Sequence, residues 1–202
     1  GDWDVSSVTN MEEMFYRTNS FNNGGKPLTW TKGTGTSNVK IMYYMFSESI
    51  AFNQDISSWD VSSVTNMAAM FYANEIFNNG GMPLTWTKGT GTSKVTDMKR
   101  MFRESRTFNQ DIGSWDVSSV TDMSSMFYYA NAFNQDIGTW NISNVQSTGG
   151  MFWEATAFNQ NIGSWDVFNV DNMNSMFANA SAFNQDLTKW CVTYITTEPS
   201  GF

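Results

Sequence analysis

The residues Trp115-Asp-Val-Ser-Ser-Val-Thr-Asp-Met-Ser-Ser-Met-Phe-Tyr-Tyr-Ala-Asn-Ala-Phe-Asn-Gln-Asp-Ile-Gly-Thr139 are followed at once by Trp140 and a near copy of themselves. Trp115, Trp140, Trp165 and Trp190 recur at one constant step, and the pairs Met126-Phe127, Met151-Phe152 and Met176-Phe177 keep it. The unit reads W-D-V-S-x-V-x-x-M-x-x-M-F-x-x-A-x-x-F-N-Q-D-I-x-x. A fixed period of this length is the signature of stacked repeats, in which no single unit buries its own apolar face.

Working outward toward the start of the chain, the step alternates. Trp3, Trp30, Trp59, Trp86 and Trp115 are separated by a shorter and a longer step in turn, so the double unit at 3–58 is present again at 59–114. Each copy carries a long insertion, Asn-Asn-Gly-Gly-x-Pro-Leu-Thr-Trp-Thr-Lys-Gly-Thr-Gly-Thr-Ser, at 22–37 and 78–93. Gly, Pro and Thr flanking a tryptophan read as loops at the ends of coils, not as linkers between domains. The expectation is a single domain over 1–202, with about seven full coils and a partial one at the end, and with long-loop coils near 22–45 and 78–101.

Within the unit, Met123, Met126, Phe127 and Ala130 fall at i, i+3, i+4 and i+7, one face of a short α-helix, with Thr121 placed to cap it. The segment Ile112 to Val120 alternates Trp115 inward, Asp116 outward and Val117 inward, which predicts a short strand with one buried face. Strand followed by helix, repeated, stacks the strands in parallel through right-handed connections. The expected fold class is therefore α/β: a right-handed, leucine-rich-repeat-like solenoid with one short parallel strand and one short helix per coil. The few apolar side chains of a lone coil cannot offset the backbone entropy of ordering it, so each coil depends on its neighbours.

Asn22, Asn53, Asn78, Asn109, Asn134, Asn159 and Asn184 each stand directly behind a phenylalanine. A repeated amide in that place is expected to form a structural ladder, bonding backbone groups of the next coil that apolar residues leave unsatisfied.

Composition narrows the chemistry. There is no histidine and one cysteine, Cys191, which removes the commonest general base, Ser-His and Cys-His pairs, disulfide frameworks and cysteine-based metal clusters. No catalytic residue and no metal ligand set is expected. With 11 Lys and Arg against 19 Asp and Glu, nucleic acid is a poor partner. No apolar run is long enough to span a bilayer, and any export signal or anchor is expected outside this segment.

Two rows of side chains are candidate ligand surfaces. After each strand tryptophan come Asp4, Thr31, Asp60, Thr87, Asp116, Asn141, Asp166 and Cys191, of which Asp60, Asp116 and Asp166 are the binding candidates; the alternation with neutral residues keeps the carboxylates apart. After each Met-Phe pair come Tyr16, Ser47, Tyr72, Arg103, Tyr128, Trp153 and Ala178, of which Tyr16, Tyr72, Tyr128 and Trp153 could stack on sugars or anchor a protein. Both rows also have structural readings, as a solvated register-setting face and as packing between coils. A second acidic row, Asp55, Asp111, Asp136, Asn161 and Asp186, leaves calcium as the one candidate ion, although no calcium-loop motif accompanies it.

The stretch Ile112 to Val120 resembles the L-x-x-L-x-L-x-x-N/C segment of leucine-rich repeats, with Val120 where their ladder asparagine stands. The whole unit resembles the BspA-like repeats of bacterial surface proteins and lipoproteins over essentially all of the chain. That resemblance implies a secreted or cell-surface protein attaching to host, neighbouring-cell or matrix components. The functional expectation is a non-catalytic adhesion scaffold for a protein or glycan. The alternatives are a structural module that self-associates head to tail into a fibre and, more remotely, a carboxylate-dependent glycoside hydrolase.

Overall fold

The computed structural model describes residues 3–196 and 198–201. One parallel ladder of single bridges runs through it, joining Asn10, Ile41, Asn66, Asp97, Asp122, Ser147 and Asn172 in that order. These residues mark seven coils, numbered here one to seven. The steps from Asn10 to Ile41 and from Asn66 to Asp97 are longer than the rest, and these two contain the insertions at 22–37 and 78–93. Main-chain bonds keep the same register: Thr121 N donates to Thr96 O at 2.9 Å, and Met123 N to Ser147 O at 3.0 Å.

The interior is built from columns of equivalent side chains. Phe15, Phe46, Phe71, Phe102, Phe127, Phe152 and Phe177 stack face to face, each ring 5.1–5.8 Å from the next. A second column, Phe21, Phe52, Phe77, Phe108, Phe133, Phe158 and Phe183, repeats at 5.8–6.1 Å and lies against the first, Phe127 and Phe133 being 3.9 Å apart. Beside them a third column of tryptophans, Trp30, Trp59, Trp86, Trp115, Trp140 and Trp165, is buried. In this column, from Trp59 to Trp190, each indole N–H reaches a backbone carbonyl of the preceding coil, as Trp165 Nε1 does to Ile137 O at 3.0 Å. An indole buried without such an acceptor would leave its donor unsatisfied. The apolar cluster is continuous from Val5 to Met176.

No helix forms at Met123 to Ala130 or at the equivalent places. Among the described residues the only helical elements are two single 3-10 turns, Asn23–Gly25 and Asn79–Gly81, both in the insertions. The expected helices are instead ribbons of consecutive turns. Met126 N, Tyr128 N and Ala130 N each donate three residues back within the coil, at 3.1, 3.2 and 3.0 Å. The alternate groups Met123 N, Ser125 N, Phe127 N and Tyr129 N donate to Ser147, Gly149, Met151 and Trp153 of the next coil. Residues four apart, Ser125 and Tyr129, hold φ of 56° and 55°, and the same pair recurs from Glu13 and Arg17 onward. A positive φ at the third position is what a type II turn requires.

The physical reason lies in the spacing of the coils. Packed helices sit about 8–10 Å apart and neighbouring strands about 4.8 Å. With phenylalanine rings repeating at 5.1–6.1 Å down both columns, a helix in every coil has no room. The turn ribbon sets Met123, Met126, Phe127 and Ala130 inward all the same, and all four are fully buried.

The strand expected over 112–120 is likewise a pair of turns, with Trp115 N donating to Ile112 O and Val120 N to Val117 O. The bridge falls two residues later, at Asp122. Ile112, Trp115, Val117 and Val120 are nevertheless buried and Asp116 exposed, as the alternation requires. Coils press so closely here that a Cβ on Gly113 would lie 2.6 Å from Asp136 O.

Candidate functional site

The acidic rows have a conformational task. Asp60, Asp116 and Asp166 each accept, through Oδ1, the backbone N–H two residues on, from Ser62 at 3.0 Å, Ser118 at 3.0 Å and Phe168 at 3.1 Å. Asn141 makes the same bond to Ser143 with an amide oxygen. In the second row Asp55, Asp111, Asp136, Asn161 and Asp186 do likewise. These are Asx turns, which bend the chain at the corners of each coil. Hydrogen bonds from Thr188 hold the Asp186 carboxyl below its ordinary pKa.

A third such row escaped the sequence reading, at the bridge positions themselves: Asn10, Asn66, Asp97, Asp122 and Asn172. Its signal was present, since Asp or Asn precedes the first methionine of most units. Burial pushes the Asp97 carboxyl upward, the neighbouring Asp122 adds to this, and the Lys99 N–H bond and the Lys99 charge oppose it. Among the described residues no three Asp, Glu or Cys side chains converge on a point where an ion could sit.

The asparagines behind the phenylalanines bond from coil to coil. Asn22 Oδ1 accepts Asn53 N, Asn53 accepts Asn78, and so on through Asn109, Asn134, Asn159 and Asn184, at 2.8–3.1 Å. In coil two and in coils five to seven the following glutamine adds a second donor, as Gln54 Nε2 does to Asn22 Oδ1 at 2.8 Å and Gln160 Nε2 to Asn134 Oδ1 at 2.9 Å. Asn22, Asn53, Asn109, Asn134 and Asn159 thereby use both lone-pair directions of the amide oxygen within the stack.

The aromatic row is different. Tyr16, Tyr72, Tyr128 and Trp153 are half-buried, lie on the turn ribbon and are joined edge to edge by other residues. Arg17 lies over Tyr16 at 4.8 Å; Tyr16 meets Tyr44 at 6.0 Å, and Tyr44 meets Tyr72 at 6.1 Å. Arg103 lies between Tyr72 and Tyr128, 5.7 Å from one ring and 4.1 Å from the other, and Tyr128 meets Trp153 at 5.3 Å. The result is an unbroken aromatic and arginine ridge across coils one to six. Ser47, expected in this row, is fully buried, and Tyr44 from three residues earlier takes its place. Tyr44 and Tyr129 were not singled out in the sequence, although the pairs Tyr43-Tyr44 and Tyr128-Tyr129 mark them. Burial raises the phenol pKa of Tyr16 and of Tyr128, in the latter against the charge of Arg103.

The family model described as "Mycoplasma protein of unknown function, DUF285" matches residues 1–90 and 85–190. The chain belongs to this family. No curated protein and no solved structure matches it. Each DUF285 match spans several coils, and the two meet inside the second insertion, so the family unit is a run of stacked repeats rather than one turn of the chain. No helix of this DUF285 chain is long and apolar enough to cross a membrane among the described residues.

Proposed function

We propose that this DUF285 chain is a non-catalytic binding scaffold, part of a right-handed solenoid of the BspA-like kind in a secreted or cell-surface protein, and that its partner is a protein or a glycan. The observation that carries this reading is the ridge from Arg17 to Trp153. Tyrosine, tryptophan and arginine are the residues that dominate binding energy at interfaces, because they bring large rigid area with a polar or charged tip. Here they form a line parallel to the stack and outside the phenylalanine columns, where the fold makes no demand for them. The aspartates of the two outer rows, the acids a hydrolase could draw on there, are engaged in Asx turns in near-equivalent surroundings.

The test is to pass the chain over surfaces carrying immobilised matrix proteins and glycans, alongside the double variant Tyr72→Ala, Arg103→Ala. Binding by the native chain, reduced at least tenfold in the variant at a similar melting temperature, is the expected result. Binding to none of the surfaces, or equal binding by the variant, would overturn the proposal.

A further inference from the structure

Coil six departs from every other coil on the turn ribbon. Where the others place a methionine followed by two residues with side chains, as in Met123-Ser124-Ser125 or Met98-Lys99-Arg100, coil six has Thr148-Gly149-Gly150. Gly150 holds φ of 62°, but this does not explain the glycine, because Glu13, Tyr44, Ala69, Arg100, Ser125 and Ser175 adopt the same conformation at the equivalent place. Gly149 lets the Asn172 amide approach to where a Cβ would lie 2.9 Å from its Nδ2, and Gly150 leaves room beside Ser125 and Tyr128. Beside Trp153 the surface drops into a depression of about 250 Å³, walled by Tyr128 and Trp153 and rimmed by Ser125, Ser175, Asn172 and Asn174.

We infer that this depression is a subsite for a neutral sugar ring. It rests on the binding-scaffold reading and narrows it to one ligand class and one place. The two half-exposed rings stand 5.3 Å apart and inclined at 42°, and aromatic faces of this kind stack on the C–H side of a pyranose. The lining residues Trp153, Ser125 and Asn174 bring an indole N–H, a hydroxyl and an amide NH2 that have no acceptor among the described residues, donors of the kind that sugar hydroxyls satisfy. No charged residue lines it, so the ligand it complements is uncharged. Its volume lies just below the roughly 300–1,000 Å³ of clefts that enclose drug-sized ligands, which suits one ring of a longer chain lying along the stack.

The experiment is calorimetric titration of the chain with cellohexaose, chitohexaose, maltohexaose and mannohexaose. The variants are W153A, G150Y and, as a control on an exposed residue of the last coil, K189A. G150Y fills the depression with a residue that coil two already carries at the equivalent place, so the fold tolerates it; its Cβ would sit 3.6 Å from the Tyr128 ring. At least one oligosaccharide is expected to bind, with affinity at least tenfold weaker in W153A, lost in G150Y and unchanged in K189A. No binding by the native chain, or binding that W153A and G150Y leave intact, overturns the subsite. If the chain then still captures a matrix protein through Tyr72 and Arg103, the scaffold reading stands without it; if it captures nothing, both fall.

Discussion

The buried phenylalanine columns and the half-exposed ridge of coils one to six obey different rules. The phenylalanine columns repeat the same residue in all seven coils, ring upon ring. The outer ridge varies, with tyrosine in coils one to three and five, arginine in coil four and tryptophan in coil six, and in coil two it is carried by a residue from a different position. A buried column has one solution, because each ring must fill the same space between identical neighbours, and interiors tolerate little change of volume. A half-exposed row has no such constraint, so its composition is free to follow whatever it touches.

That contrast can be broken most forcefully at Phe127 and Tyr128, adjacent residues on opposite sides of one ribbon. Phe127→Ala is expected to cost about 3–5 kcal/mol of unfolding free energy, and Tyr128→Ala about 1 kcal/mol, both read from urea denaturation. Equal losses would mean that the ridge is part of the core. A smaller effect should come from the ladder. Asn134→Ala removes the acceptor of Asn159 N and Gln160 Nε2, and unmaking such bonds costs about 1–3 kcal/mol. The loss should appear as faster amide exchange at Asn159 before it appears elsewhere.

Asp97→Asn sharpens the comparison in the stabilising direction. The native Asp97 carboxyl holds its proton to higher pH than its ordinary value of 3.8, so its contribution falls as pH rises from there through the raised value. The amide keeps the Asx bond to Lys99 N, as Asn66 does to Ala68, without the buried charge. The variant should melt higher than the native chain at pH 7, and the gain should vanish below pH 3.8. The smallest change is expected from Asp116→Asn, which copies Asn141 in the next coil. It should alter stability by less than about 0.5 kcal/mol, and a larger loss would show that the carboxylate charge matters at that corner.

The period, the buried set and the ladder positions were readable from residue spacing, because a side chain's burial repeats with the coil whatever its backbone does. The aromatic row was readable in part. Ser47 occupies its expected sequence position but is buried, and Tyr44 replaces it only because both lie on a ribbon whose turns bring positions three apart to the same surface. The depression beside Trp153 needed the structure, since two glycines in a sequence do not say which neighbours surround them.

Sequence alone determined which side chains face inward, since apolar groups at i, i+3, i+4 and i+7 leave water together in a helix or in a ribbon of turns. Only the tertiary structure decided where each backbone N–H finds its acceptor. Coils held at strand spacing by stacked phenylalanines are too close for helices about 8–10 Å apart, so alternate amides from Met123 to Tyr129 turn outward to the next coil instead of back along their own.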